Sequence, residues 1–154
     1  MTAKKDNEHV VLLRNKKARH EYHIEETVEA GIELKGSEVK SLRAAHASIG
    51  DAWATVRAGQ MWLVQLQINE YPQANRYNHD PGRERRLLLH KKEIIKLGEA
   101  CDESGYTLLP LELYLNKGKV KVLLALCKGK KLFDKRQSEK ERDAKREMDR
   151  ALRR

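Results

Sequence analysis

Apolar side chains recur along this chain with two periods, and the period assigns the element. Over residues 19–34, Ile24, Val28, Ala30, Ile32 and Leu34 fall on alternate positions, which predicts one long half-buried strand. Glu26 sits on the same face, so a bulge or an open end is expected there. Ser37 is placed to cap a short helix running through Ala45, with Val39 and Leu42 on one side. Alternation returns at residues 51–58 (Ala52, Ala54, Val56). Past a turn at 58–60 it resumes at 61–69 (Trp62, Val64, Leu66, Ile68), and the two runs predict a hairpin. Residues 71–86 contain Pro72 and Pro81 without periodicity and read as a long loop. Residues 90–103 place Ile94, Leu97 and Cys101 at i, i+3 and i+7, a helix stopped by Ser104-Gly105. Residues 106–115 alternate Leu109, Leu111, Leu113 and Leu115, with Pro110 favouring an edge or a bulge. A turn at 116–119 then leads to a last strand with Val120, Val122, Leu124 and Leu126 facing inward. No internal repeat is visible.

The order is three strands, a helix and two strands, with an extra short helix after the first strand. This is the order of an OB-type barrel: a mainly β, antiparallel fold with two or three short helices, which binds oligonucleotides among other ligands. Fold alone does not fix function. The barrel pattern occupies residues 1–128. Residues 129–154 have a different pattern, with helix-forming composition but almost nothing to bury.

Charge sharpens that division. The chain has 154 residues, one domain's worth, and carries a net charge of +9. Residues 128–154 hold 12 basic and 6 acidic groups, so the tail supplies most of the excess. A basic protein of this kind points first to nucleic acid and second to an anionic membrane surface. The longest apolar run, Val122 to Cys127, is six residues, where a membrane span needs about 20. MTAKKDNEHV has no apolar core behind its charges and does not read as a signal peptide. Cys101 and Cys127 stand in no metal spacing and read as free thiols in a reducing cytoplasm.

Catalytic patterns are missing. His20 and His23 are three apart, which on a strand points them to opposite faces, so HEYH is neither a zinc pair nor the HExxH motif. Gly129-Lys130 lacks the upstream glycine and the following Ser/Thr of a phosphate loop, since Leu124 and Lys131 stand there. The expectation is a binding protein, not an enzyme, with no cofactor and no metal.

Three clusters combine cations with planar groups that can stack on bases. NKKARHEYH carries Lys16, Lys17, Arg19, His20 and Tyr22. EVKSLR places Lys40 and Arg43 on one helix face. YPQANRYNHDPGRERR carries Tyr71, Tyr77 and four arginines, Arg83 among them. Each alone could be a solvated basic surface; three on one basic barrel favour RNA. A general RNA chaperone and a membrane-surface protein are the competing readings. The tail's apolar face (Ala144, Met148, Ala151, Leu152) is too small for stable interfacial binding.

The segments NKKARHEYHIEETVEAGIELKGSEVKSLRAAHASIGDAW, NHDPGRERRLLLHKKEIIKL and KVKVLLALCKGKKLFDKR resemble the SsrA-binding protein family, also called small protein B. The similarity runs from about Val10 to the C-terminus, and the EAG…EVKSLRA and GKK…DKR blocks are its most specific parts. The resemblance implies an OB-like barrel with a tail that is disordered when free. It implies binding to the tRNA-like part of bacterial transfer-messenger RNA and delivery to ribosomes stalled without a stop codon. Elongation factor Tu enters as a partner through the charged RNA. Matching RNA-contact positions are Glu29 in EAG, Leu88 in RLLLH and Lys121 in KVKV, with Lys16, Arg19, Lys40 and Arg43 in matching motifs. In the tail, Gly129, Lys130, Lys131, Asp134, Lys135 and Arg136 match the blocks that act in the small-subunit decoding centre and messenger channel. Phe133 replaces the Tyr or His of many members, keeping a stacking ring without a hydroxyl.

The tail's own chemistry is consistent with conditional order. Ser138-Glu139-Lys140-Glu141 is a capping box, and Glu141–Lys145 and Asp149–Arg153 are i,i+4 pairs. Sixteen residues with four small or medium apolar groups are nonetheless marginal as an isolated helix, so helix is expected against the ribosome.

Overall fold

The structure, a computed structural model, describes residues 9–102, 105–130 and 132–153, with residues 75–77 and 132–138 given by backbone alone. Nine strands run through the described residues: β1 (His9–Arg14), β2 (Tyr22–Ile32), β3 (Ala47–Ser48), β4 (Trp53–Arg57), β5 (Gln60–Val64), β6 (Gln67–Ile68), β7 (Arg85–Leu88), β8 (Tyr106–Asn116) and β9 (Lys119–Gly129). The helices are α1 (Lys16–Glu21), α2 (Gly36–Arg43), α3 (Lys91–Cys101) and α4 (Leu132–Leu152), with a 3-10 turn at Pro72–Tyr77. Strands pair in the order β1-β8-β4-β5-β7-β2-β9, and the β8–β9 pair closes the sheet into a barrel. Every pairing is antiparallel, as the OB-like pattern predicts. β3 and β6 form a separate ribbon.

Both tight hairpins use two residues with positive φ. Ala58 (51°) and Gly59 (74°) join β4 to β5, and Lys117 (53°) and Gly118 (78°) join β8 to β9. That geometry matches the right-handed twist of the strands it connects. Inward-facing Ala30, Leu63, Leu113, Val122 and Leu124 are at most 1% exposed and make the barrel core. A second cluster of Ala18, Leu109, Leu111, Ala125 and Cys127 lies under α1. Burial pushes the Cys127 thiol up to about 11, so it remains protonated; Cys101 is half-buried.

The expected irregularities are present. The β2–β9 register slips between Ile24 and Glu26, and the β8–β9 register between Pro110 and Glu112. Several boundaries differ from the pattern. The first long strand starts at Tyr22 rather than residue 19, because Asn15 caps a helix over Lys16–Glu21 by accepting from the Ala18 amide at 3.1 Å. Asn15 also donates to the Pro110 carbonyl at 2.9 Å, seating α1 on the β8 bulge. Residues 61–69 are not one strand: Gln65 has φ 61°, and Gln67–Ile68 leaves β5 to pair with β3. The hydrophobic pattern also missed β1 and β7. β7 falls where proline and charge suggest loop.

Ser37 is not the N-cap of α2. Lys35 is, and its amide donates to Glu38 Oε1 at 2.8 Å. Ser37 instead reaches His79: Nε2 of the buried ring donates to the Ile68 carbonyl at 2.8 Å, leaving Nδ1 to accept from the Ser37 hydroxyl at 2.8 Å. Ser41 donates to the Asn69 carbonyl at 2.7 Å. Between them lies Glu38, fully buried, bonded to the fully buried Arg85 and to Arg83. Arg85 completes its donors on the carbonyls of Leu66 (2.7 Å), Arg83 (3.0 Å) and Pro81 (3.1 Å). Burial alone would raise the Glu38 carboxyl. Bonds from Arg83, the Lys35 amide and Arg85, with the Arg85 charge, outweigh it and hold the group below its usual value.

The tail is helical from Leu132, well before Ser138, where the capping box places the start. Its hold on the body is thin. Arg142 donates to His20 Nδ1 at 2.8 Å, which leaves the other ring nitrogen to face Glu139 at 3.3 Å. Met148 and Leu152 are 67% and 79% exposed, so the apolar face covers nothing.

Glu38→Gln is expected to lower the unfolding free energy by about 3–5 kcal/mol, because it leaves Arg85 buried without its counter-charge. The depressed Glu38 pKa stabilises the parent above the ordinary glutamate value of 4.5, and that share is lost as pH falls through the folded value. Urea melts between about pH 7 and pH 3 should therefore show a shallower acid limb in the variant than in the parent.

Candidate nucleic-acid interface

β2 carries Glu29 and Gly31 on the outward face of the barrel, since the alternating Ala30 is buried in the core. Gly31 pairs with Leu88 of β7 on one side and Lys121 of β9 on the other. Glu29, Leu88 and Lys121, which lie far apart in sequence, therefore line one cleft of ≈ 510 Å³ together with Arg86 and His90. Its floor depends on the missing side chain at Gly31, where a Cβ would come within 3.1 Å of the Leu88 Cβ. Leu88 is 48% exposed, a flat apolar surface in a polar opening. Glu29 accepts a hydrogen bond from the buried Tyr114 hydroxyl. Arg86 is bonded to Glu33, and its Nε–H is buried without a partner among the described residues.

The chemistry of this cleft is mixed by design of the sheet. A cation (Lys121), an acceptor (Glu29) and an apolar platform (Leu88) can meet a phosphate, a base edge and a base face respectively. Sequence reasoning reached these three residues only by resemblance. Arg86, Gly31 and Tyr114 were missed; the strand register that gathers them has no local signal.

The other expected residues fall at separate places. Lys16 and Arg19 are exposed on α1, with His20 half-buried beside α4. Lys40 and Arg43 are exposed on α2, and the Lys40 ammonium lies 5.6 Å from the centre of the Tyr71 ring. Arg83 is spent internally: besides Glu38, its guanidinium donates to the carbonyls of Glu33 (3.2 Å) and Glu84 (3.3 Å). Of the tail residues, Gly129 ends β9 opposite Tyr22, and the Lys130 amide donates to the Glu21 carbonyl at 2.9 Å. Phe133, Asp134, Lys135 and Arg136 lie on the backbone of α4, with their side chains outside the described set, as Lys131 is altogether. Leu152 is solvent-facing. Among the described residues no helix is long and apolar enough to cross a membrane.

A closed antiparallel barrel with a cation, an acceptor and an apolar platform in one outward cleft matches an OB-like barrel of the nucleic-acid-binding class. The comparisons narrow this. The family model described as "SmpB protein" matches residues 12–154. An SsrA-binding protein of Staphylococcus haemolyticus is 53% identical over 152 residues, covering 99% of this chain and 97% of the relative. Another, of Desulforamulus reducens, is 57% identical over 140 residues, covering 90% and 87%. A chain of a solved structure, described as "tmRNA-SmpB: a journey to the center of the bacterial ribosome", superposes with a TM-score of 0.67. It is 47% identical and covers 78% of this chain and 85% of that one. This chain belongs to the SmpB family.

Gly31→Ala tests the seating of Leu88. The added methyl meets Leu88 at 3.1 Å and is expected to cost about 1–3 kcal/mol as overpacking. Only Leu88→Gly removes the Cβ in conflict, so in a double-mutant cycle read by urea melts Gly31→Ala should cost much less in the Leu88→Gly chain than in the parent; an additive loss would show that the conflict lies elsewhere.

Proposed function

We infer that this chain binds the tRNA-like domain of transfer-messenger RNA and carries it to ribosomes stalled without a stop codon. Translation then switches to the tag-coding RNA and the incomplete peptide is marked for degradation. The observation that carries this reading is the convergence of Glu29, Leu88 and Lys121 in one cleft of an SmpB-family barrel. Lys121 neutralises phosphate, Leu88 supports an exposed base, and Glu29 accepts from a base amino or imino group. Lys16, Arg19, Lys40 and Arg43 add phosphate contacts that fix the register of the RNA without reading its sequence.

The protein acts by positioning one RNA against another, with no bond made or broken by its own side chains. Elongation factor Tu joins through the charged RNA, and the setting is the bacterial cytoplasm. The tail serves the ribosome rather than transfer-messenger RNA. With its eleven basic groups it lies along ribosomal RNA in the empty messenger channel, and GKKLFDKR stands near the decoding centre in place of a codon–anticodon pair. Only there is its helix fully supported, since in the free chain its apolar face stays in water.

An RNA pull-down from cells should recover one dominant tRNA-mimicking species; a broad mixture would replace this reading with that of a general RNA chaperone. The affinity of the body for the tRNA-like domain should fall steeply between about 50 and 200 mM salt, and Lys121→Ala should reduce the log–log slope by about 1. Deleting residues 134–154 should leave RNA binding nearly intact and abolish peptide tagging. A scrambled tail of identical composition should also fail to tag; normal tagging with it would mean that charge alone suffices.

A further inference from the structure

Glu29 is exposed, yet one of its oxygens is held from two strands away. Tyr114 on β8 pairs with Lys121 on β9, which pairs in turn with Gly31 on β2, so all lie on the outward face. Tyr114 is nevertheless only 3% exposed. His9 of β1 stacks on its ring, with centroids 4.3 Å apart and planes inclined by 21°. His9 Nε2 lies 3.8 Å from Glu112 Oε1, which ties the covering ring to β8. The Tyr114 hydroxyl crosses β9 and donates to Glu29 Oε2. Burial first, then the bond and charge of Glu29 and the charge of Glu112, push this phenol well above its usual range. It stays a donor at any working pH. Among the described residues Glu29 Oε1 has no partner.

A carboxylate on an exposed strand is ordinarily free to rotate among several rotamers, and ordering it carries an entropic cost. Lys121 stands diagonally beside it, so a loose Glu29 could also turn to the lysine and cancel the cation that phosphate needs. Neither happens while the phenol holds Oε2. The bond spends one acceptor position and orients the other.

We propose that Tyr114 is a positioning residue of the RNA interface, its buried hydroxyl fixing Glu29 so that Oε1 is presented to the cleft as an acceptor for an unpaired base. The proposal rests on the reading of the cleft as the RNA site. Tyr114 itself touches no RNA: its ring is under His9 and its hydroxyl is occupied. Its effect runs through Glu29 and through nothing else. Loss of the hydroxyl leaves the charge of the cleft unchanged, so it should alter affinity without altering the number of ions released.

The test is a double-mutant cycle in the full chain, read as affinity for the tRNA-like domain of transfer-messenger RNA at fixed salt. Tyr114→Phe keeps the ring and its stack on His9. It is expected to weaken binding about five- to tenfold, within the net range of a single ordinary hydrogen bond, with the salt slope unchanged. Glu29→Ala should weaken binding at least as much, and adding Tyr114→Phe to it should change nothing further. His9→Ala, which uncovers the ring but keeps the hydroxyl, should weaken binding less and should likewise be silent in the Glu29→Ala chain. Parent-like affinity of Tyr114→Phe beside a weak Glu29→Ala overturns the proposal. So does a Tyr114→Phe loss that adds in full to that of Glu29→Ala, because the tyrosine would then act by another route. Parent-like affinity of Glu29→Ala removes the cleft reading itself, and the proposal with it.

Discussion

The pair of fully buried charges, Glu38 and Arg85, constrains more of this molecule than any other contact. Two ions out of water are tolerable only when nearly every donor and acceptor is met. Here Glu38 receives Arg85, Arg83 and the Lys35 amide, while Arg85 also reaches three carbonyls. Such a set admits one arrangement of its parts. It fixes α2 against the loop that returns through Pro81 and Arg83, and it sets Arg85 as the first residue of β7. From there the register follows: Arg85 opposes Leu63 and Leu87 opposes Met61, so Leu87 enters the core and Leu88 must face outward. The apolar platform of the cleft is thus placed by an ion pair three residues upstream. Ser37, Ser41 and His79 reinforce the same junction with neutral bonds.

A polyanion-binding surface gains affinity from cations, and cations alone do not discriminate. An acidic group among them weakens nonspecific attraction and pays that back only if it makes a bond that a wrong ligand cannot offer. Glu29 meets that condition geometrically. It stands beside an exposed leucine and one strand from a lysine, and its orientation is fixed from behind. Arg83 and Arg85 show the opposite use of charge. They come from the most arginine-rich run of the body, yet their guanidinium groups are consumed in holding the fold together.

That contrast also marks what the sequence could reveal. Period-two alternation located β2, β4, β5, β8 and β9, and the polar intrusion at Glu26 and the proline at 110 marked two of the register slips, while the one between Val11 and Leu13 in the β1–β8 pair went unmarked. These are local signals, carried by residues adjacent in the chain. The cleft is a register effect: nothing near Gly31 indicates that Leu88 and Lys121 will flank it. Arg85 misled for a similar reason. A charged residue inside a prolyl, arginine-rich segment reads as surface loop, and only its partner 47 positions away makes it core. β1 was missed because HVVLLR is a short apolar run without alternation, and its pairing with β8 is a contact distant in sequence. Asn15, between two strands, turned a predicted strand start into a helix by using its side chain twice.

Body and tail meet on α1, and the chemistry of that meeting is light. Arg142 can only donate, so the His20 Nδ1 facing it must accept, and the ring proton is left on the side of Glu139. An imidazole placed between a guanidinium and a carboxylate meets both, but exposed contacts of this kind contribute about 0–1 kcal/mol each. Against them stands a helix of 21 residues whose Met148 and Leu152 face solvent. The barrel does not depend on α4: its closure runs through β8 and β9, and its anchor through Glu38. The two surfaces are separate in energy, because the contacts that hold α4 are made to α1 and those that build the cleft around Glu29 come from β2, β7 and β9.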